Sequence, residues 1–405
     1  MAPVDEGCTC RKDYGKRHSH FSMSFHKRQS SATHNLQTKF TSMSDSLWQD
    51  VGTKDVPPQS ENIPEKKFLI LVSPITGSRV RINFPFVMAK SYSAAGELLS
   101  TIRFVVKLIP AFLKNLQELS GLLENSAGYD ALLRWSKQFN YDAEMFLKRD
   151  QNVVEFQSFQ NTKKLLVEHI LQVVYNNSVV KPAKLNLYPP SSSSAYGETS
   201  FQMVEEMIRY LNITSDDSFL DLGSGVGQVV LHVAAATECR VAVGIECREW
   251  PIFFARAMDS TFQRWMNWFG IPYQSYELLE GDFMDEKFRH YINEATVIFT
   301  NNIAFTPELN YQLEEIFLTL NDGVRIVSSR KFAEPDQRLN ARNMNDFRAI
   351  VKVESLRPAP VSWTSKPLPY FIHTIDRQKR AEYLASWNDR STKKRQLDDF
   401  TAEEL

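Results

Sequence analysis

The segment Asp221-Leu222-Gly223-Ser224-Gly225-Val226-Gly227-Gln228 constrains the fold of this chain more than any other. Apolar residues precede it and the apolar run 229–236 follows it, which is typical of a buried parallel strand leading into a helix. Glycines between the two let the backbone turn sharply and approach a ligand that a Cβ atom would keep away. The free N–H groups at the start of the helix then point at that ligand. We therefore predict an α/β fold with a nucleotide-like cofactor at this turn.

Two classes of cofactor bind at such a turn, dinucleotides and S-adenosylmethionine. A dinucleotide fingerprint has the spacing G-x-G-x-x-G, whereas this chain has G-x-G-x-G preceded by Asp221. A carboxylate at the end of the strand attracts the cationic amino group of a methionine moiety and repels a pyrophosphate. The pattern therefore favours S-adenosylmethionine.

Two further acidic positions fit an adenosine site. Glu246 ends the apolar strand 241–246, and its carboxylate could accept hydrogen bonds from both ribose hydroxyls. Asp282 follows the strand-like segment 276–279 and could accept from the adenine amino group, while Phe283 packs on the ring. The alternative for the second position is a solvated turn with a core phenylalanine.

Composition limits the class of protein. The chain has 405 residues, 43% of them hydrophobic, and a formal net charge of −1, which is enough apolar material for two packed units. No apolar stretch reaches the roughly 18 to 20 residues of a membrane span, and the N-terminus lacks the pattern of a signal peptide, which argues against secretion. Four scattered cysteines are too few for a disulfide framework. Because Cys8 and Cys10 with His18 and His20 match no usual zinc spacing, we predict no metal site.

Four segments differ in composition. Residues 1–65 are an arm and linker, in which 1–44 carry seven Lys or Arg against three acidic residues. We expect this arm to be disordered, either contacting nucleic acid or an acidic protein surface or simply solvated. Residues 66–185 are predicted to form a mainly helical domain and 186–388 an α/β domain, in which strands and helices alternate from Phe201 onward. Residues 389–405 are predicted to be a mobile polar tail.

The pattern also predicts individual elements. Residues 68–72 and 80–84 indicate a hairpin, and Pro110 is expected to break the helix before it. Two helical faces are predicted, formed by Leu98, Leu99, Ile102, Val105, Val106 and Ile109 and by Leu165, Leu166, Ile170, Val173 and Val174. His169, beside the second face, is interpreted as a residue at the edge of the core. Later strands are predicted at 296–299, 324–327, 351–353 and 370–374.

Two segments carry side chains suited to chemistry. Thr199 and Gln202 fit a capping box, so the segment from Tyr196 is either a loop over the cofactor or an ordinary capped helix start. Asn301 follows the strand 297–299, where a residue of an open α/β sheet faces the ligand crevice. Its carbonyl could accept a hydrogen bond from an incoming amine without adding charge.

Six segments together resemble the disruptor-of-telomeric-silencing (DOT) family of histone lysine methyltransferases, which have the class I methyltransferase fold instead of a SET domain. The segments are Asp221 to Gln228, Asn301-Asn302-x-Ala304-Phe305-x-Pro307-Glu308, Arg325 to Ser329, Asn340-x-Arg342-Asn343, Ser362-Trp363-Thr364-x-Lys366-Pro367 and His373 to Arg377. The resemblance covers roughly residues 66–388. The glycine turn is common to many methyltransferases, whereas the Asn301 and Trp363 segments are much more restrictive.

The resemblance implies a class I (Rossmann-like) sheet with an N-terminal mainly helical domain, and transfer of methyl from S-adenosylmethionine to a lysine in the globular core of histone H3 within nucleosomes, the family's lysine-79 target. It places the cofactor against Tyr196, Thr199, Asp221, Gly223, Gly225, Gln228, Glu246, Asp282, Phe283 and Asn301. It lines the lysine channel with Phe299, Asn301, Trp363 and Tyr370. Aromatic walls desolvate an ammonium and lower its pKa, so we assign no general base.

The resemblance also implies partners. Arg342 matches a family arginine that contacts the acidic patch of the histone surface, and nuclear residence follows from the substrate. The chain departs from the family at Pro189 and Pro190, where an acidic residue usually follows the tyrosine at Tyr188, and in its nearly neutral tail. We expect the basic arm 1–44 or a recruiting protein to replace the family's basic DNA-gripping segment.

Two rival functions stay open. The chain could be a catalytically weak chromatin-binding scaffold of the same fold, which would bind S-adenosylmethionine without turnover. It could also be a class I methyltransferase for another protein or a small molecule, which nucleosomes would not stimulate.

Overall fold

The computed structural model describes residues 67–86, 88–89, 92–149, 160–187, 199–335, 338–356, 359–361 and 364–389. These residues all belong to one compact unit. The arm 1–65, most of the predicted tail and the segment around Tyr188 and Pro189 lie outside the described residues, as do the four side chains of the rejected zinc pattern. Within the described ranges, every helix is too short or too polar to cross a membrane.

The N-terminal part is a hairpin followed by four helices. The elements are β1 Lys67–Val72, β2 Arg79–Phe84, the two-residue strands β3 Met88–Ala89 and β4 Tyr92–Ser93, α1 Ala94–Leu108, α2 Leu113–Glu124, α3 Tyr129–Arg149 and α4 Gln160–Ser178. Strands β1 and β2 pair antiparallel. Helix α1 begins at the N-cap Ser93, whose side chain accepts from the Gly96 N–H, and ends before Pro110, which lacks an N–H to donate. The predicted hairpin and helix break are confirmed.

The C-terminal part alternates strands and helices around one sheet. Its strands are β5 Ser218–Leu222, β6 Val241–Glu246, β7 Tyr276–Glu280, β8 Val297–Thr300, β9 Arg325–Ser328, β10 Val351–Ser355, β11 Ala359–Val361, β12 Thr364–Leu368 and β13 Phe371–Ile375. Its helices are α5 Phe201–Leu211, α6 Gln228–Ala236, α7 Glu249–Phe269, α8 Arg289–Glu294 and α9 Pro307–Phe317, with a last helix over 378–389.

Seven of these strands form the central sheet, in the order β10-β13-β9-β8-β5-β6-β7. Strands β5 to β9 pair in parallel, and β13 runs antiparallel to both of its neighbours. This mixed sheet with helices on both faces is the class I methyltransferase arrangement, so the predicted fold class is confirmed. The carboxyl ends of β5, β6 and β8 lie side by side at one edge, where an open α/β sheet binds its ligand.

Alternating side chains of the strands fill two cores. Ile298 of β8 packs with helices α8 and α9 on one face, whereas Val297 and Phe299 pack with α5 and α6 on the other. A third and larger core joins the N-terminal part to the sheet's helices, because α4 packs on α7 and α6. Phe139 and Ile170 of the first part and Met258 of α7 are all fully buried in this one cluster.

Two details of the predicted elements were wrong. Ser200, not Thr199, caps α5, because its side chain accepts from the Met203 N–H while Thr199 is turned towards the sheet. Leu165, placed on the buried face of α4, is 48% exposed, whereas the other four members of that face are buried. His169 hydrogen-bonds Thr101 of α1, which agrees with a position at the edge of the core.

Candidate active site

The glycine turn connects β5 to α6 as predicted. Gly223, Gly225 and Gly227 have φ values of 83°, 57° and 83°, a region in which a side chain is strained. The turn is held to the neighbouring strand, since the N–H groups of Gly223 and Ser224 both donate to the Ile245 carbonyl, at 2.9 and 3.1 Å. Gly227 caps α6 without a side-chain hydrogen bond, so the helix presents its first N–H groups at the sheet edge, next to half-buried Gln228.

Two buried carboxyl groups lie behind this turn. Asp221 lies in β5 and is 2% exposed, and Glu246 ends β6 and is 9% exposed. Burial, and then the negative charge of Glu246, raise the pKa of Asp221 well above its usual value. Because both causes disfavour the charged carboxylate, the site would gain electrostatic free energy from a cation placed beside Asp221.

Glu246 is held differently from Asp221. Its carboxylate accepts from the N–H groups of Gly225 at 2.8 Å, Cys247 at 2.9 Å and Arg248 at 2.8 Å. Burial raises the pKa of Glu246, and these donors partly offset the effect. The glycine turn and the end of β6 are thereby fixed to each other, which gives the edge a rigid carboxylate.

Two aromatic rings close one side of the cleft. Phe283 is buried and lies 6.0 Å from Phe305, ring centroid to centroid, with the planes 29° apart. Phe305 also reaches the glycine turn, because a Cβ built on Gly223 would lie 3.8 Å from its Cζ. Asp282, beside Phe283, is exposed and accepts from the Met284 N–H. The geometry therefore offers a flat apolar wall and a carboxylate at the cleft's rim.

A second group of predicted residues meets on the other side of Asp221. The hydroxyls of Thr199 and Tyr370 are 3.1 Å apart, and the ring of Tyr370 stacks on Phe299 at 5.9 Å. Burial and the charge of Asp221 raise the pKa of Tyr370 to about 12, against the lowering effect of the Thr199 hydrogen bond. Tyr370 is thus a neutral phenol at physiological pH, within electrostatic reach of the Asp221 carboxyl group.

Asn301 and Asn302 follow β8 at the same edge. Asn301 is half-buried and precedes a short 3₁₀ turn, Asn302–Ala304. Asn302 is fully buried and ties this turn to the chain after β9, since its Oδ1 accepts from the Arg330 N–H at 2.7 Å and from the Ser329 hydroxyl at 3.3 Å. Its Nδ2 donates to the Arg330 carbonyl and to Asn310 of α9. Sequence reasoning gave Asn302 no role, although it lies in the Asn301 segment that carries the family resemblance.

The structure brings most of the predicted site together. Asp221, Gly223, Gly225, Gln228, Glu246, Phe283, Phe299, Asn301, Thr199 and Tyr370 lie on or beside the carboxyl edge of the sheet. Tyr196 and Trp363 lie outside the described residues. Arg342 is exposed in the loop after β9, where its N–H donates to Asn340. In the part of the chain that the structure describes, no cluster of His, Cys, Asp and Glu could hold a metal ion.

Comparison with known proteins agrees with the resemblance to the DOT family. The family model described as "Histone methylation protein DOT1" matches residues 175–375. The "Histone-lysine N-methyltransferase, H3 lysine-79 specific" of Drosophila melanogaster is 36% identical over 330 residues, covering 79% of this chain and 18% of that protein. The protein of the same name in Caenorhabditis elegans is 31% identical over 313 residues, covering 75% and 32%.

A fungal protein of the same name, from Chaetomium globosum, is 30% identical over 288 residues, covering 67% of this chain and 56% of its own length. The chain therefore spans between about a fifth and just over half of these relatives. The matched segment contains the glycine turn, both buried carboxyl groups, Asn301 and Tyr370. Through residues 175–375, the chain belongs to the DOT1 family of histone methylation proteins.

Proposed function

We propose that this chain is an S-adenosylmethionine-dependent histone-lysine N-methyltransferase that modifies a lysine in the globular core of histone H3 within nucleosomes. The observation that carries the proposal is the meeting of two chemically different half-sites at one sheet edge. The buried carboxyl groups of Asp221 and Glu246 lie on one side. The hydroxyls of Thr199 and Tyr370 and the rings of Phe299 and Tyr370 lie on the other. The names of the relatives agree with this assignment.

The residues at the first half-site fit S-adenosylmethionine. Asp221, whose pKa is raised by burial and by Glu246 with no described cation to offset them, suits the ammonium of the methionine moiety. Glu246 is oriented by three backbone donors and suits two ribose hydroxyls. Phe283 offers an apolar surface for adenine and Asp282 an acceptor for its amino group. When bound, the cofactor supplies a methyl group already activated by a sulfonium.

The residues at the second half-site fit the acceptor amine. Phe299 and Tyr370 are buried aromatic walls, and we propose that Trp363 completes them. Such walls disfavour an ammonium, so the lysine enters as the neutral amine after giving its proton to solvent. Asn301 accepts a hydrogen bond from that amine and Tyr370 stays neutral, so neither adds a competing charge. Alignment in a channel without water then supplies much of the rate acceleration.

The remaining assignments concern the whole protein. We propose that Tyr196 and Thr199 close over the cofactor, that Arg342 contacts the acidic patch of the nucleosome, and that the arm 1–44 or a recruiting protein adds affinity. We place the protein in the nucleus, where this substrate is. The boundaries 66–185 and 186–388 remain our division of the chain into a helical and a catalytic domain.

The test is transfer of labelled methyl from S-adenosylmethionine to reconstituted nucleosomes, beside free histone H3 and a Gly223→Arg control. At a φ of 83° and 3.8 Å from Phe305, an arginine at position 223 would be strained and would fill the turn, so this variant should lose cofactor binding and activity. Label in histone H3 only within nucleosomes is the expected result.

Two outcomes would contradict the proposal. Measured cofactor binding without transfer to any nucleosome would favour the scaffold function. Transfer to free protein that nucleosomes do not improve would favour a methyltransferase with another substrate.

A further inference from the structure

The nearly neutral net charge of the chain conceals two halves of opposite sign. Residues 67–187 contain 15 Lys or Arg and 9 Asp or Glu, a formal charge of +6. Residues 199–389 contain 19 Lys or Arg and 26 Asp or Glu, a formal charge of −7. Positive potential is therefore concentrated on the N-terminal hairpin and helices, which contribute none of the residues of the candidate active site.

Helix packing gathers much of this charge at one end of the helical part. Phe112, just before α2, lies against Phe146 near the end of α3, with ring centroids 5.8 Å apart. Helices α1 and α4 run antiparallel, since Glu97 hydrogen-bonds Asn176 while Thr101 hydrogen-bonds His169. The end of α1, the start of α2, the end of α3 and the start of α4 therefore meet at one place. Six basic residues lie within two helical turns of these helix ends, and we call them the basic end: Arg103, Lys107, Lys114, Lys148, Arg149 and Lys163.

The basic end is exposed to solvent, and few of its charges form ion pairs. Five of its side chains are exposed, and Lys163 is half-buried. Lys114 pairs with Glu118 at 3.8 Å, and the other five make no ion pair with any residue that the structure describes.

Helix electrostatics does not account for the cluster. Cations at the C-terminal ends of α1 and α3, such as Lys107 and Arg149, offset the helix dipole. Lys114 and Lys163 lie in the first turns of α2 and α4, where the same dipole disfavours a cation. A local stabilising role would put acidic residues at those two positions.

We infer that the basic end binds the phosphate backbone of duplex DNA, in addition to any contact made by the arm 1–44. The inference rests on the proposed function, since a nucleosome presents duplex DNA around its histone core. Packed helix axes lie about 8 to 10 Å apart, so cations on four helix ends are too far apart for a single acidic side chain to contact them all. A phosphate backbone carries charge continuously along such a span. Contacts of this kind position the protein without reading the base sequence.

The test measures binding of the full chain to a fluorescent DNA duplex over a range of salt concentrations. The variant Lys107→Gln, Lys148→Gln, Arg149→Gln is compared with Arg134→Gln, Lys137→Gln, Lys181→Gln, which removes three equally exposed cations from the same helical part. We expect the first variant to weaken binding at least about tenfold and to reduce the slope of log affinity against log salt by about 2 to 3, and the second to leave both near the wild-type values.

Equal losses in the two variants, or none in either, would overturn the inference. Unchanged duplex binding together with weaker nucleosome binding in the first variant would also overturn it, in favour of an acidic protein surface. Thermal unfolding midpoints of both variants are measured beside the wild type to show that each is folded. Free duplex binding involves no methyl transfer, so its failure is distinct from a failure of the proposed activity.

Discussion

Asn302 shows how a residue outside the proposed site can determine the placement of its neighbour Asn301. All four of its side-chain hydrogen bonds go to groups on α9 or after β9, so the turn that carries Asn301 and the start of the loop that carries Arg342 move together. The sequence could not indicate this, because the partners of Asn302 are up to 28 residues away.

We predict that Asn302→Ala will lower kcat on nucleosomes while leaving the dissociation constant of S-adenosylmethionine within about threefold of wild type. The Arg330 N–H would lose its acceptor in a partly buried place, which costs about 1 kcal/mol of folding free energy. Steady-state kinetics, cofactor titration and urea unfolding measure the three quantities. Asn310→Ala is the control, because it removes one partner of Asn302 and leaves those at Arg330. Equal effects of the two variants on kcat would contradict a positioning role.

The buried Asp221 carboxylate is unfavourable when no ligand is bound, and folding stability should therefore depend on pH. Since the folded-state pKa is raised, the protonated form is favoured in the fold, and stability falls as pH rises through that pKa. We predict that Asp221→Asn will raise the unfolding temperature of the ligand-free protein at pH 7 but not at pH 3. It will also weaken S-adenosylmethionine binding about 10- to 100-fold at pH 7, because a charge-assisted hydrogen bond is lost.

Thermal unfolding with and without S-adenosylmethionine, from pH 3 to pH 8, checks both effects of Asp221→Asn. In the wild type, affinity should rise with pH through the raised pKa of Asp221, and in the variant this rise should disappear. A variant that is less stable at pH 7 and unchanged in affinity would show that Asp221 has only a structural role.

Most of the sheet could be predicted at the scale of elements, because its central strands are short apolar runs buried on both faces. The residue that caps α5 could not be predicted from the sequence. Thr199 and Ser200 are both residue types that cap helices, and Thr199 instead hydrogen-bonds Tyr370, which is 171 residues later in the chain. Leu165 fits the apolar period of α4, but it is 48% exposed because no element that the structure describes covers it. The local sequence pattern thus predicts where helices and strands lie, whereas contacts with distant residues decide which residue caps a helix and which residues are buried.

Three helices are joined by a link that is buried at His232 and exposed at Lys164. Glu205 of α5 hydrogen-bonds His232 of α6 at 2.9 Å and pairs with Lys164 of α4 at 2.8 Å, and Phe201 stacks on the imidazole. Burial raises the pKa of Glu205, but the hydrogen bonds from His232 and Lys164 outweigh it, so the pKa lies below its usual value. The link runs from the helix that follows Thr199 to the helix that follows the glycine turn.

We predict that Glu205→Gln will lower the free energy of unfolding at pH 7 by about 1.5–3 kcal/mol, the usual contribution of hydrogen bonds to a charged group. A depressed pKa stabilises the fold above the unfolded-state value and loses that effect as pH falls through the folded value. The difference between wild type and variant should therefore shrink below about pH 4. Urea unfolding at the two pH values measures it, and a difference that persists in acid would contradict the charged link. Glu206→Gln, which removes the neighbouring carboxylate that pairs with Arg209 instead of His232 and Lys164, is the control.

At the scale of the whole molecule, the predicted boundary near residue 185 divides a continuous core. Trp135 of α3 and Trp265 of α7 belong to the same buried cluster although they lie on opposite sides of that boundary. A composition change along the chain detects where helices give way to alternating strands, but it cannot detect which surfaces bury each other. The opposite charges of the two halves were likewise hidden by a net charge of −1.

We predict that the two halves will unfold in a single transition. Far-ultraviolet circular dichroism and tryptophan fluorescence, to which Trp135 and Trp265 contribute among seven tryptophans, should give coincident urea curves because one hydrophobic cluster contains elements of both halves. Two separated transitions would show that the domains are independent and that the shared core contributes little.

The reversed strand β13 has an evolutionary consequence. It pairs with β10 from Ser355 and Phe371 onward, and the Leu356 N–H donates to the Tyr370 carbonyl at the base of the connection between them. Antiparallel neighbours need no crossover helix, so this connection can lengthen, shorten or change sequence without altering the order or register of the sheet. Tyr370 stays fixed at its base, and the Trp363 segment, which carries part of the family resemblance, lies within the connection. A family built on this sheet could therefore adapt to new acceptor proteins by changing the length of one hairpin around Trp363, while the edge formed by β5, β6 and β8 remains unchanged.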